Sequence, residues 1–200
     1  MSENKSIAFF DEQFRRQSKD VAFKLNPFEE VALPYLRGEV LDFGCGLGNL
    51  AFAAAKRGCK VTALDASPAA IELIRLRAAA ENAPVLASLA DLRDYSIIGE
   101  YDCIVSIGLL MFFDCSTASK VLSQLQAHVR PGGIAAINVL VEGTTYLDMF
   151  DPGGYCLFGP AEIQGRFEGW TIEHSVCHDF EASNGTLKRF STVIARKPNA

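Results

Sequence analysis

The chain lacks several signals that would fix its chemistry at once. Its six cysteines (45, 59, 103, 115, 156 and 177) contain no C-x-x-C pair, so neither a zinc knuckle nor a dithiol redox motif is written in their spacing. No apolar run approaches the roughly 20 residues that span a bilayer. The stretch from Met1 to Asn26 is polar and charged, without the apolar core of a signal peptide. Basic residues form no run, and Lys+Arg 19 against Asp+Glu 24 leaves a net charge of -5, which argues against a general nucleic-acid surface. No Gly-Lys-Ser/Thr follows any glycine-rich turn, which excludes a Walker-type phosphate loop. The nearest approach to a metal cluster is His174, Cys177 and His178. On a strand the two histidines share a face and the cysteine points away, so no metal is expected. These absences leave a reduced, cytoplasmic protein with no membrane partner and no nucleic-acid partner.

What the chain has is alternation. With 49% hydrophobic residues in 200, it suits one globular domain over 37–200, preceded by an N-terminal helical segment, 1–36, as a candidate lid. Within that segment Ile7, Phe10 and Phe14 stand at helical spacing, with Arg15 beside them. Pro27 opens a second helix, expected over 28–36. Apolar runs at 40–43, 60–64, 84–90, 101–107 and 134–141 read as strands, separated by helical stretches over 50–57, 67–81 and 116–129. The fourth run is apolar on both faces past Asp102, as a covered parallel strand should be. Two further strands, 170–180 and 187–195, flank Asn184-Gly185, a hairpin-turn signal. The expected fold is α/β, a doubly wound, mostly parallel, seven-stranded Rossmann-like sheet ending in an antiparallel hairpin. The stretch 142–158 is too long for a plain connection and reads as a lid or substrate wall.

The chain is organised around Val40-Leu41-Asp42-Phe43-Gly44-Cys45-Gly46-Leu47-Gly48, a strand running into a glycine turn and a helix. Glycine lets the backbone take unusual dihedrals and admit a ligand against it. A dinucleotide turn needs G-x-G-x-x-G, whereas here the third glycine comes one residue early, which disfavours a nicotinamide oxidoreductase. The D-x-G-x-G-x-G pattern resembles the first motif of the class I S-adenosylmethionine (SAM) dependent methyltransferases. Asp42, Asp65 and Asp91 each close, or nearly close, a predicted strand, and such strand ends border one crevice.

The resemblance extends from about Val40 to Lys197. Ala90-Asp91-Leu92, Tyr101-Asp102, Leu110-Met111-Phe112, Pro131-Gly132-Gly133, Phe167-Glu168-Gly169-Trp170 and Arg189-Phe190 are similar to the tellurite-resistance (TehB-like) branch. It implies SAM as cofactor and S-adenosyl-L-homocysteine (SAH) as product. Gly44, Cys45, Gly46, Leu47 and Gly48 would form the cofactor turn, and Asp65 would hold the ribose hydroxyls. Ala66 would lie with Leu47 against the purine, and Asp91 and Leu92 at its edge. Carbonyls of Ser106, Ile107 and Gly108 would face the ammonium of the methionine half.

Phe10, Arg15, Met111 and Phe112 are the candidate substrate pocket. The branch implies His and Arg groups near the last hairpin. Here these are His178 and Arg189, the candidate catalytic residues, without an adjacent His-Arg pair. The implied acceptor is a small molecule, a soft nucleophile such as a thiol or a selenium or tellurium oxyanion. The alternative is a non-catalytic SAM-binding regulatory or partner protein. The chain is expected as a monomer or homodimer.

Overall fold

The protein is described by a computed structural model over residues 11–14 and 24–199. After a helical turn at 11–14 come α1 (Pro27–Ala32), a 3-10 turn (Leu33–Tyr35), β1 (Glu39–Phe43), α2 (Asn49–Lys56), β2 (Lys60–Asp65), α3 (Pro68–Glu81) and β3 (Val85–Leu89). Then follow β4 (Tyr101–Ile107), α4 (Cys115–Ala127), β5 (Val129–Leu140), α5 (Glu162–Gly165), β6 (Thr171–Glu181) and β7 (Leu187–Arg196). The strands form one sheet in the order β3-β2-β1-β4-β5-β7-β6. The first five in this order run parallel, β7 pairs antiparallel with both β5 and β6, and the expected seven-stranded mixed sheet is what is found.

The central strands β1, β4 and β5 are buried on both faces, and the two-residue period of a strand sorts their side chains. Leu41 and Phe43 of β1 and Ile104 of β4 pack with Leu122 of α4 on one face. Val40, Cys103 and Val105 pack on the other with Phe52 of α2 and Ile71 of α3. Asp42 alternates onto the Val40 side and is 5% exposed, a carboxyl among apolar neighbours.

Several boundaries differ from expectation for identifiable reasons. The expected 28–36 helix ends as an α-helix at Ala32 and tightens to a 3-10 turn around Pro34, whose nitrogen has no hydrogen to donate. Arg130-Pro131-Gly132-Gly133, between the expected helix over 116–129 and the expected strand at 134–141, lies inside β5. The C-terminal segment draws it in, because Lys197 N donates to Gly133 O (2.9 Å) and Gly132 N to Lys197 O (3.1 Å).

The thiols also depart from a wholly reduced chain. Cys45, Cys59 and Cys103 are free and buried, but Cys115 and Cys156, 41 residues apart, form a disulfide. This bridge ties the start of α4 to the 142–158 stretch. That stretch is packed, with Phe150 2% exposed and stacked on Tyr155, its ring 5.1 Å from that of Phe112. No helix among the described residues is long and apolar enough to cross a membrane.

Candidate functional site

A cavity of about 320 Å³ opens at the carboxyl ends of β1, β2 and β4, with walls from the glycine turn, α1 and the segment after β4. This is where ligands bind in an open α/β sheet. The turn is held by backbone pairing, since Gly44 N and Cys45 N both donate to Leu64 O (2.9 and 3.0 Å). Gly44 sits at φ +88°, and a β-carbon there would come within 2.9 Å of the Leu109 side chain. Glycine therefore lets Leu109 close against the turn.

Eleven of the thirteen expected cofactor residues line the cavity. They are Asp42, Gly44, Cys45, Gly46 and Leu47 from β1 and the turn, Asp65 and Ala66 at the end of β2, Asp91 and Leu92 after β3, and Ile107 and Gly108 at the end of β4. Gly48 and Ser106 do not. Gly48 caps α2 at φ +72°, where a β-carbon would meet Ile74 at 2.9 Å, so its task is packing. Ser106 is fully buried within β4.

Of the expected substrate-pocket residues, Phe112 lines the cavity, while Met111 turns into the core beside Leu140 and Met149. Phe10 and Arg15 lie outside the described residues, whereas Phe14 lines the cavity. The two expected catalytic side chains are not at the cavity wall. Arg189 is committed to Asp179 through two hydrogen bonds (2.9 and 2.8 Å). His178 is exposed on β6 opposite Phe190.

Three carboxyls define the electrostatics. Asp65 accepts from Gly46 N (2.8 Å) and Ser67 N (2.9 Å), so it shapes the turn besides facing the cavity. Burial pushes its carboxyl up, against these hydrogen bonds, and Asp11 adds to the rise. Asp42 is pushed up to about 8, first by burial and then by the charges of Glu29 and Asp65. Its Oδ2 is buried and has no hydrogen-bond partner among the described residues. Glu29 is raised chiefly by burial. Among the described residues no lysine, arginine or histidine pairs with any of the three. Burying uncompensated carboxyls is costly, so the arrangement suits a cationic ligand. Asp91 differs, because Arg93 Nε donates to it at 2.9 Å and holds its carboxyl below the usual range. The Cys45 thiol is raised well above its ordinary value by burial and by Asp42 and Asp65, which makes it no nucleophile.

Glu29 and Asn26 were not foreseen from the sequence. Their signal was the pattern Asn26-Pro27-Phe28-Glu29, a capping box in which Asn26 Oδ1 accepts from Glu29 N (2.9 Å) and Glu29 Oε2 from Asn26 N (2.7 Å).

Residues 40–133 match a family described as a methyltransferase domain. Hemagglutinin 1 of Eikenella corrodens is 28% identical over 166 residues, 80% of this chain and 55% of that protein. The Haemophilus influenzae protein TehB, a probable S-adenosyl-L-methionine-dependent methyltransferase, is 26% identical over 166 residues, 80% of this chain and 57% of that one. The chain thus spans little more than half the length of these curated relatives. The crystal structure of TehB from Haemophilus influenzae superposes with a TM-score of 0.75 at 22% identity, covering 94% of this chain and 67% of that chain, a likeness of fold. A structure concerned with conversion of a disulfide bond into a thioacetal group during echinomycin biosynthesis gives 0.62 at 25% identity, covering 86% of this chain and 82% of that chain. The D-x-G-x-G-x-G turn at the head of the domain match, the sheet order with its terminal hairpin and the TehB similarity lead to one assignment: residues 40–133 carry a methyltransferase domain, and the chain is similar to the class I SAM-dependent methyltransferases of the TehB-like branch.

Proposed function

We propose that the chain transfers the methyl group of SAM to a small-molecule acceptor, a soft nucleophile such as a thiol or a selenium or tellurium oxyanion, leaving SAH. The observation that carries this reading is the meeting of Glu29, Asp42 and Asp65 in one cavity without a cationic partner among the described residues. SAM brings two positive centres, a sulfonium and an ammonium, and an activated methyl carbon.

The residues then divide the work. Asp65 takes the ribose hydroxyls with the oxygen lone pairs left free by Gly46 N and Ser67 N. Leu92, beside the Asp91–Arg93 pair, offers an apolar surface to the purine edge. The glycine turn lets the backbone approach the methionine half, and Asp42 supplies the charge that its ammonium lacks elsewhere. Phe112 and Phe113 exclude water from the reacting centre. The acceptor lone pair forms the new bond to the methyl carbon as the carbon–sulfur pair departs onto sulfur. Protein catalysis is then mainly alignment of the two reactants.

The softness of the acceptor rests on what surrounds it. No histidine, tyrosine or lysine stands among the described cavity residues, and in this reading the cavity carboxyls serve the cofactor, so the acceptor proposed is one that needs no strong general base. The relatives named TehB, and a neighbour concerned with disulfide chemistry, favour the same class.

A turnover assay with SAM and a panel of thiol, selenite and tellurite acceptors tests the proposal. The expected result is SAH formed in step with methylated acceptor. SAM binding without SAH from any acceptor would favour the non-catalytic alternative, and thermal stabilisation by NAD alone would overturn both.

A further inference from the structure

Glu29 reaches the cavity from outside the strand tips and outside the glycine turn. Its helix α1 is placed by aromatic packing: the Phe28 ring lies 4.6 Å from that of Phe190 and 5.6 Å from that of Phe180, centroid to centroid. Phe190 stands opposite Leu140 at the end of β5. Glu29 therefore approaches from the hairpin side, whereas Asp65 and Asp91 approach from β2 and β3, across the sheet order. Between them lies Asp42, 95% buried by its 5% exposure, with an unpartnered Oδ2 at the cavity wall. A nucleoside held by its ribose at Asp65 and running along the cavity away from β2 would carry its sulfur end to the side from which Glu29 approaches. The capping contact from Asn26 N to Oε2 is the carboxylate's one hydrogen bond among the described residues, which leaves Oε1 for the cavity.

We infer that Glu29 is the residue by which this site distinguishes the sulfonium cofactor from its neutral thioether product. The inference rests on the methyltransferase reading above. SAM and SAH share adenosine, ammonium and carboxylate, and differ by one positive charge at sulfur. A carboxylate facing the ribose or the ammonium serves both alike. One at the sulfur end favours only the charged form, and more strongly for being half-buried, where the attraction is less screened than in water. Loss of the methyl group then weakens the contact, and the product leaves a site that its precursor held.

The test is Glu29→Gln, because Gln also serves at the third position of a capping box and keeps α1 closed. Calorimetric titration compares SAM, SAH and an analogue carrying a protonated amine in place of the methylsulfonium. The expected result is about tenfold weaker binding of SAM and of the amine analogue, about 1.4 kcal/mol, with SAH changed by less than about twofold. Glu30→Gln, the exposed neighbour that does not line the cavity, is expected to move none of the three. Equal weakening of SAM and SAH by Glu29→Gln, no weakening of either, or a matching effect of Glu30→Gln would each overturn the inference. A wild-type protein that binds neither nucleoside would remove the parent reading and this one with it. Binding with an unchanged SAM-to-SAH ratio in Glu29→Gln would remove this one alone.

Discussion

The two ends of the cavity are built by different physics. The end under β1 and β2 is local and polar: a glycine turn, backbone N–H groups on Leu64 O, and Asp65 bridging Gly46 N and Ser67 N. The end under β4 and the hairpin is assembled from distant segments by apolar packing. Phe28, Phe112, Phe150, Phe180 and Phe190 meet there, and a disulfide ties down the long loop. A cofactor end set by hydrogen bonds of fixed geometry can stay constant while the packed end changes its acceptor.

The sharpest way to break this contrast is to loosen one end only. Replacing Cys115 by Ser removes a cross-link over 41 residues. It is expected to cost about 2–4 kcal/mol of stability and to leave SAM affinity within about twofold, as denaturant titration and calorimetry would show. A large loss of SAM affinity would mean that the two ends are mechanically one.

Asp65→Ala works on the other end and is expected to weaken SAM by about 1.5–3 kcal/mol. It should also lower the melting temperature, because Gly46 N and Ser67 N lose their acceptor. The sequence alone suggested a purely ligand-facing acid. Asp65→Asn, which keeps one acceptor oxygen, separates the two effects. Gly48→Ala should cost about 1–2 kcal/mol of stability from its left-handed backbone, with the Ile74 contact adding to it. Arg189→Ala and His178→Ala, away from the cavity wall, should leave SAM affinity within about twofold.

The same contrast governs what the sequence discloses. The sheet, the Asn184-Gly185 hairpin turn and the strand-tip acids follow from periodicity and turn chemistry, which are local. Gly48 stands inside the motif and Ser106 near the end of β4 as expected, yet sequence position alone could not show that Ile74 and the β4 core enclose them. Met111 and Phe112 are neighbours in the chain, and only the turn after β4 decides which of them faces the cavity. Arg189 looked available until the register of β6 and β7 set Asp179 opposite it. The Cys115–Cys156 pair has no spacing signal at all. The Asn26–Glu29 cap is written plainly, but its role at the cavity depends on where the hairpin holds Phe28.

The central claim is that buried carboxyls without a cationic partner among the described residues await a cation, and the pH dependence of SAM binding tests it most directly. Folded Asp42 keeps its proton up to about 8, while an unfolded Asp loses it near 3.9. Between those values the folded state holds more protons, so the ligand-free protein should lose stability as pH rises. A bound cation favours the carboxylate, so SAM affinity should rise severalfold from pH 6 to 8.5. Glu29 and Asp65, which face the same cavity, act in the same direction. Titration of SAM across this range should therefore give tightening that levels off above about 8 and is flattened in Asp42→Asn. Affinity independent of pH in the wild type, or a slope unchanged in Asp42→Asn, would contradict the account.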